Sequence, residues 1–496
     1  MEIEVVTKER LYIFDTTLRD GAQTHGVDFN VDEKKIIANK LDLLGVDYIE
    51  GGWPGANATD TTFFNEKLNF TNASFTAFGM TKKIGRSAEN DPGLASLINT
   101  SATSVCIVGK SWDFHVELAL EIKLEENLEN IQQSIEFIVK NNKEAHFDAE
   151  HFFDGYKANK EYALKCLQAA ADGGARWIIL CDTNGGTLPH EIAEIVSEVV
   201  KIIPGSKLGI HAHNDTGNAV ANSLTAIHAG VRQVQGTING LGERCGNANL
   251  VSIIPTLLLK PYFKDNFELT ISVDNLKLLT DLSRLQDEIL NRSSNRNAPY
   301  VGASAFAHKG GLHASAVNKD PKTYEHIEPS IVGNQRQIVI SEQSGKSNII
   351  SKLKSAGISV NEDDQSIQKI LDRVKEREFT GYTYDGADAS FELLVKKVLG
   401  QFTEFFATKS FKINIENTGD EGSTLSKAEV IFVVGGKDVS GSGEGNGPVN
   451  ALDKAIRMSF QSSGYANYVK DLNLIDYKVR ILNTGTDAIT RVSIES

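Results

Sequence analysis

Cysteine, proline and long apolar runs are all scarce in this chain. Its 496 residues include 4 cysteines, Cys106, Cys166, Cys181 and Cys245, far apart and with no CxxC pair. That fits a reducing compartment better than a disulfide scaffold. No apolar run approaches the roughly 20 residues that a membrane-crossing helix needs. The first residues, MEIEVVTKERLYIFD, lack a basic stretch followed by an apolar one, so no secretory signal is expected. Basic residues are outnumbered, 51 against 65, for a formal charge of −14. An acidic surface argues against a nucleic-acid or anionic-membrane binder. Apolar residues make up 41%, enough to offset chain entropy, so extended disorder is not expected. The expectation is a soluble cytoplasmic protein of about two to four domains.

The first half of the chain repeats one pattern. A short apolar run ends in polar or glycine residues, and an amphipathic stretch follows. The strand-like runs span residues 11–18, 46–53, 74–80, 102–110, 144–153, 175–183, 207–215 and 231–240. Between them lie helical patterns such as NVDEKKIIANKLDLLG, with Ile36, Ile37, Leu41 and Leu44 at helical spacing and a closing Gly45. The stretch VELALEIKLEENLENIQQSIEFIVKNN is the longest. Eight strands alternating with helices is the count of a (β/α)8 TIM barrel. A doubly wound open sheet is the alternative, weakened because no GxGxxG follows the first strand.

The pattern changes near residue 275. Three domains are expected: a catalytic barrel over 1–275, helical linker subdomains over 276–400, and a small C-terminal α+β domain over 401–496. The last would build strands around one or two helices. QSGKSN (343–348) looks like a phosphate loop but has Ile340 where that motif needs glycine. GSGEGNGP (441–448) is a glycine-rich run before a helix starting near Pro448. It reads either as an anion cradle at a helix N-terminus or as a tight turn.

In a TIM barrel the chemistry gathers where the strands end. The unusual polar residues sit there: DTTLRDGAQ after strand one, AEHFFDG after five, CDTNGG after six, HAHND at seven and NGLGERCGN after eight. His211 and His213 alternate on a strand and so share a face. They are either a metal-ligating pair or two polar strand-end residues. A carboxylate from another strand end would favour the metal, and Asp15, Asp20 and Asp182 all qualify. Arg19 and Asp20 are either a surface ion pair or a cation for an oxyanion beside a metal-binding acid. Glu150, in sequence near Phe147, Phe152 and Phe153, is either a base with a raised pKa or a loop acid. Glu243, Arg244 and Asn247 lie in a glycine-punctuated loop that is either a ligand-approaching backbone or a plain turn.

FDTTLRDGAQ, HAHND and NGLGERCGNANL, in that order on strands one, seven and eight, resemble the metal-dependent acyl-CoA Claisen synthases. This family includes 2-isopropylmalate, homocitrate and citramalate synthases, with related lyases. FAHKGGLHASAV and GEGNGPVNALDKAI carry the resemblance into the later regions, so that it covers nearly the whole chain. Where 2-isopropylmalate synthases usually carry an EAGFP-type sequence, this chain has EGGWPGAN (50–57). That stretch, with DAEHFFDGYKAN and IVGNQRQIVISEQSGKSN, is similar to the branch that joins acetyl-CoA to pyruvate at the start of a threonine-independent route to isoleucine.

The resemblance implies a divalent metal (Mn, Mg or Zn) held by Asp20, His211, His213 and Asn247. It implies Arg19 at the forming alkoxide and Thr183 at the 2-oxo-acid carboxylate. Glu150 and His313 would act together in proton removal, His313 reaching the barrel of a neighbouring subunit. The linker tyrosine of 2-isopropylmalate synthases is replaced here by Asn334-Gln335-Arg336, leaving Arg336 or Tyr324 to act instead. The C-terminal domain resembles an allosteric module, which implies a homodimer and isoleucine as effector. Trp53 would narrow the pocket for a methyl group. The alternatives are a 2-isopropylmalate synthase acting on 2-oxoisovalerate, a homocitrate synthase acting on 2-oxoglutarate, a metal-dependent lyase or aldolase, and an effector-binding protein on an inactive barrel.

Overall fold

Each of the eight apolar runs forms a strand with two dry faces. The computed structural model describes residues 8–66, 68–339, 345–355, 357–358, 365–384, 387–417, 424–461, 463–481 and 490–496. The strands are β1 (Tyr12–Asp15), β2 (Tyr48–Gly52), β3 (Ser74–Met80), β4 (Ser104–Lys110), β5 (Glu144–Glu150), β6 (Trp177–Asp182), β7 (Leu208–Ala212) and β8 (Gln233–Gly236). All neighbours are parallel, and β8 pairs with β1 to close the barrel. The expected TIM barrel is therefore present. Alternate residues divide two cores. Ile13, Ile49, Ile178, Leu180, Ile210 and Val234 face the surrounding helices, while Phe14, Tyr48, Phe78, Cys106, Trp177 and Ile179 fill a separate interior cluster.

Helix α1 (Val31–Leu44) starts where Asn30 accepts from the Glu33 N–H and Glu33 accepts from the Asn30 N–H. It ends at Gly45, whose φ of 100° suits only glycine. Ile36, expected on the buried face, is 46% exposed, and Lys34 is buried with Ile37, Ala38, Leu41 and Leu44. Lys34 lies one turn before Ile37, on the same stripe. Its ammonium goes in because Leu18 O, Gly51 O and the Asp60 carboxylate await it. The long amphipathic stretch is not one helix. A π turn over Val116–Leu120 stops at Glu121 in the left-handed region, and α2 (Leu124–Lys140) begins afresh where Glu126 accepts from the Lys123 N–H. No described helix is long and apolar enough to cross a membrane.

The chain divides into two compact units, Met1–Ala307 with Glu325–Gln337, and His308–Tyr324 with Ile338–Ser496. The second contains α3 (Gly311–Lys319) and three helices, Lys346–Ser355, Gln365–Phe379 and Asp388–Val398, that share a core including Ile349, Leu353, Ile370, Val374, Phe391 and Val395. It also holds an antiparallel sheet of β9 (Ala407–Asn417), β10 (Thr424–Val434) and β11 (Lys437–Gly445), helix α4 (Pro448–Gln461), and the pair β12 (Asp476–Ile481) and β13 (Thr490–Glu495). Residues 343–344 of QSGKSN lie outside the described residues, as do 340–342 and 359–364.

Most of the glycine run before α4 is strand, with only Asn446 and Gly447 bending into the helix. Gly441, Gly443 and Gly445 are strand residues paired to β10. A Cβ on Gly441 or Gly443 would strike the α4 backbone at Ala455 and Ala451, and one on Gly445 would strike Asn450 and Ala451. Every second residue is glycine because helix and sheet backbones touch there.

Candidate metal centre and active site

Beyond Asp15 the chain turns sharply: the Thr16 carbonyl accepts from the N–H groups of Arg19, Asp20 and Gly21. Asp15 fixes this turn by accepting from the Thr17 N–H and hydroxyl at 2.9 and 2.8 Å. Burial pushes the Asp15 carboxyl up to about 7. Asp182 is likewise structural, accepting from the Thr187 hydroxyl at 2.8 Å. Of the three candidate carboxylates, only Asp20 meets the histidines.

His211 Nε2 lies 3.1 Å from Asp20 Oδ2 and 3.3 Å from His213 Nε2. One ligand atom from each of the three residues falls within 4.8 Å of the others, and all three side chains are buried. Asn247 reaches the cluster because the loop after β8 doubles back on β7. The Ala248 N–H donates to Ala212 O, and Asn247 bridges His213. Gly246 permits the return with φ of 90°, where a Cβ would strike Gly240 O. Asn247 Nδ2 donates to Asp20 Oδ2 at 3.0 Å and to Leu241 O at 3.1 Å.

The donor set fits a divalent metal. Asn247 Oδ1 is buried without a hydrogen-bond partner. Two imidazole nitrogens face each other across 3.3 Å, which suits a cation between lone pairs. Burial and the neighbouring His211 push His213 down to about 3, so its ring is neutral and able to ligate. Burial opposes charge on Asp20, but Arg19 and the two histidines outweigh it and hold the carboxyl well below its ordinary range. Burial also opposes charge on His211, and its hydrogen bond to Asp20 reverses the balance, raising its pKa. The cluster therefore favours a positive charge at its centre.

Arg19 lies beside it. Its Nε donates to Glu50 Oε2 at 2.7 Å, an Nη is 3.5 Å from Asp20 Oδ1, and the guanidinium stacks 3.8 Å above Phe78. Phe78 meets Trp53 edge-on at 5.5 Å. Arg19, Trp53 and Phe78 line a cavity of about 270 Å³ with Asp20, Asp148, Glu150, Thr183, His211, His213 and Glu243. Glu150 pairs with Lys110 and keeps a quarter of its side chain exposed, while Phe147, Phe152 and Phe153 are fully buried. Its immediate partner is thus a cation. Thr183 accepts from the His151 N–H at 2.9 Å, and Arg244 binds both Thr183 O and the Asp215 carboxylate. Asp215 and Arg244 shape the rim; the cluster does not use them.

His313 belongs to the second unit, exposed on α3, its ring centroid 4.2 Å from that of Tyr324. Arg336, in the first unit, is clamped by Glu325 at 2.7 and 2.6 Å and by Glu328 at 3.2 Å. Three residues of the barrel site carried no sequence-level signal of their own: Glu50, Asp148 and Gln235. Asp148 stands one two-residue step before Glu150 on β5, and Gln235 is the register partner of His211; Glu50 enters only through Arg19. Strand alternation and register would have found Asp148 and Gln235 but not Glu50.

Residues 10–283 match the HMGL-like family, 300–380 the homocitrate synthase post-HMGL domain-like family, and 385–496 the LeuA allosteric (dimerisation) domain. This chain belongs to the HMGL-like family. Within it, the (R)-citramalate synthase of Aquifex aeolicus (strain VF5) is 51% identical over 492 residues, covering 98% of this chain and 92% of that protein. The (R)-citramalate synthase of Geobacter sulfurreducens is 49% identical, covering 98% and 91%. A probable 2-isopropylmalate synthase of Methanopyrus kandleri is more distant, at 32% over 98% and 92%. The solved HMG-CoA lyase of Bacillus subtilis shares the barrel fold, with a TM-score of 0.50 and 19% identity over 58% of this chain and 97% of its own.

Proposed function

We propose that this protein is an (R)-citramalate synthase, a transferase that condenses acetyl-CoA with pyruvate and hydrolyses the product thioester to citramalate and CoA. The observation that carries this reading is Arg19 beside the Asp20–His211–His213 cluster in one small cavity walled by Trp53 and Phe78. Full-length similarity to (R)-citramalate synthases supports it. The chemistry is that of the first committed step of a threonine-independent isoleucine route, in the cytoplasm.

Asp20, His211, His213 and Asn247 would hold a divalent cation, Mn, Mg or Zn. Such a cation would supply Lewis acidity to the ketone of a 2-oxo acid. Thr183 offers its hydroxyl to the carboxylate. Arg19, held by Glu50 and Phe78, presents its guanidinium to the alkoxide that forms. Glu150 and His313 together remove a proton from the acetyl methyl group, His313 reaching the barrel of a second copy with Tyr324 at its side. The resulting carbanion attacks the ketone carbon of pyruvate. Water then cleaves the thioester, releasing CoA. The ion pairs of Arg336 with Glu325 and Glu328 favour Tyr324 over Arg336 for this step.

The catalytic barrel spans 1–275, the linker 276–400 and the allosteric, dimer-forming domain 401–496. Isoleucine binds the last as inhibitor; calorimetry with isoleucine and leucine on the full-length protein tests this, and heat from neither ends the regulatory reading. The activity is tested by thiol release from acetyl-CoA with a panel of 2-oxo acids. Pyruvate is expected to give the highest kcat/KM. A preference for 2-oxoisovalerate would make the enzyme a 2-isopropylmalate synthase with the same metal site.

A further inference from the structure

The hydrogen bonding around His211 continues past the proposed ligands. His211 Nδ1 lies 2.8 Å from Gln235 Oε1, and Gln235 Nε2 donates to Asp148 Oδ1 at 3.1 Å. His211, Gln235 and Asp148 are all buried. His211 and Gln235 are register partners on β7 and β8. Asp148 is on β5, so the Gln235 amide crosses the barrel interior.

Each contact has one workable polarity. A carboxylate oxygen accepts and an amide nitrogen donates, so Asp148 holds the Nε2 end of Gln235. That turns Oε1 toward His211. A carbonyl oxygen accepts, so the proton of His211 must sit on Nδ1. A bound cation takes the place of the proton that Nε2 shares with Asp20, and the neutral imidazole then keeps its single N–H on Nδ1 and its lone pair on Nε2, the atom that faces Asp20 and His213. The reversed amide would put an N–H against Nδ1, draw the lone pair there, and place a proton on Nε2 where a cation should bind.

Gln233, two residues earlier on the same inward face, provides the contrast. It is fully buried, and neither amide atom has a hydrogen-bond partner. A glutamine in this barrel interior is therefore not bonded simply by being there.

We infer that Gln235, oriented by Asp148, is a positioning residue that sets the His211 tautomer for metal binding. The inference rests on reading Asp20, His211 and His213 as the metal site. Gln235 touches no reacting atom; it acts through His211.

The test uses full-length protein stripped with a chelator, with Zn²⁺ titrated against a chromophoric competitor. Gln235→Met keeps the side-chain length and removes both the donor and the acceptor. It should weaken zinc binding ~10–100-fold. Asp148→Asn should weaken it less, because an asparagine can still accept from Gln235 but no longer enforces the direction. Gln233→Met is the structural control and should leave zinc affinity unchanged. Zinc affinity within about twofold of wild type in Gln235→Met, or an equal loss in Gln233→Met, overturns the inference. If Gln235→Met fails to fold, ring ¹⁵N shifts of histidine-labelled, zinc-loaded wild type decide. A proton on His211 Nδ1 supports the relay, and one on Nε2 overturns it. If wild type takes up no zinc, the metal-site reading fails and the relay with it. Uptake by wild type with no loss in Gln235→Met removes the relay alone.

Discussion

Replacing Lys34 with methionine should damage both the barrel and its mouth. Lys34 is 3% exposed, and its ammonium donates to Leu18 O and Gly51 O at 2.9 Å each and to the Asp60 carboxylate. Methionine fills similar volume but donates nothing. Asp60 keeps the Trp53 N–H at 2.8 Å and Asn57 Nδ2 at 2.9 Å, so it is not wholly stranded. Two buried carbonyls lose a partner, at ~1–3 kcal/mol each. Breaking a buried ion pair from one side typically costs ~3–5 kcal/mol. These figures overlap rather than add, so the expected loss is about 3–5 kcal/mol. Leu18 directly precedes Arg19, and Gly51 lies two residues before Trp53, so kcat/KM should fall as well. Urea unfolding followed by tryptophan fluorescence isolates the effect, because all 3 tryptophans, Trp53, Trp112 and Trp177, lie in the barrel unit. The double variant Lys34→Met/Asp60→Asn should recover part of the loss by removing the unpaired charge. A loss below about 1 kcal/mol, or no recovery in the double variant, would refute the reasoning.

Arg19→Lys loses the planar fork held by Glu50 and Phe78 and should lower kcat about 10²–10³-fold in the thiol-release assay; a change under about threefold would remove Arg19 from the alkoxide. Trp53→Val should enlarge the cavity and raise kcat/KM for 2-oxoisovalerate relative to pyruvate by about tenfold or more, and an unchanged ratio would take Trp53 out of substrate selection. Asp15 has its carboxyl raised to about 7, so the folded state keeps a proton that the unfolded chain releases near its ordinary pKa. The stability it contributes is complete below about pH 4 and declines as pH rises to about 7, at up to ~1.4 kcal/mol per pH unit. Asp15→Asn should flatten that decline in urea midpoints between pH 5 and pH 8, and equal slopes in variant and wild type would count against it. Gly443→Val drives a side chain into the α4 backbone and should destabilise the C-terminal sheet and helix by about 1–3 kcal/mol or more, read as an earlier thermal transition; an unchanged transition would mean the sheet and helix can separate at no cost.

The legible parts of the protein were those governed by a local period. Eight runs of apolar residues announced eight strands, and each run contains the strand it predicted. The two-residue step of a strand is enough to put His211 and His213 on one face. The helical stripe of α1 was legible too, except that Lys34 and Ile36 exchanged roles. Periodicity records which positions turn inward, not which have acceptors waiting there. The long stretch before β5 carried an unbroken amphipathic pattern, and only the left-handed Glu121 divides it.

Sequence alone determined the barrel, its order of strands, and the residue types gathered at the strand ends, because backbone pleat and helix pitch act over a few residues. Which of Asp15, Asp20 and Asp182 joins the histidines was decided only by tertiary structure. Asp15 and Asp182 end strands and Asp20 follows one, but Thr17 and Thr187 occupy the first two, and the turn on Thr16 O aims the third. Asn247 reaches His213 because a distant loop folds back on β7, and Gln235 reaches Asp148 because the barrel closes around them. Those contacts join residues tens to hundreds of positions apart. Their partners are chosen by closure of the sheet, and no local rule of the chain contains that information.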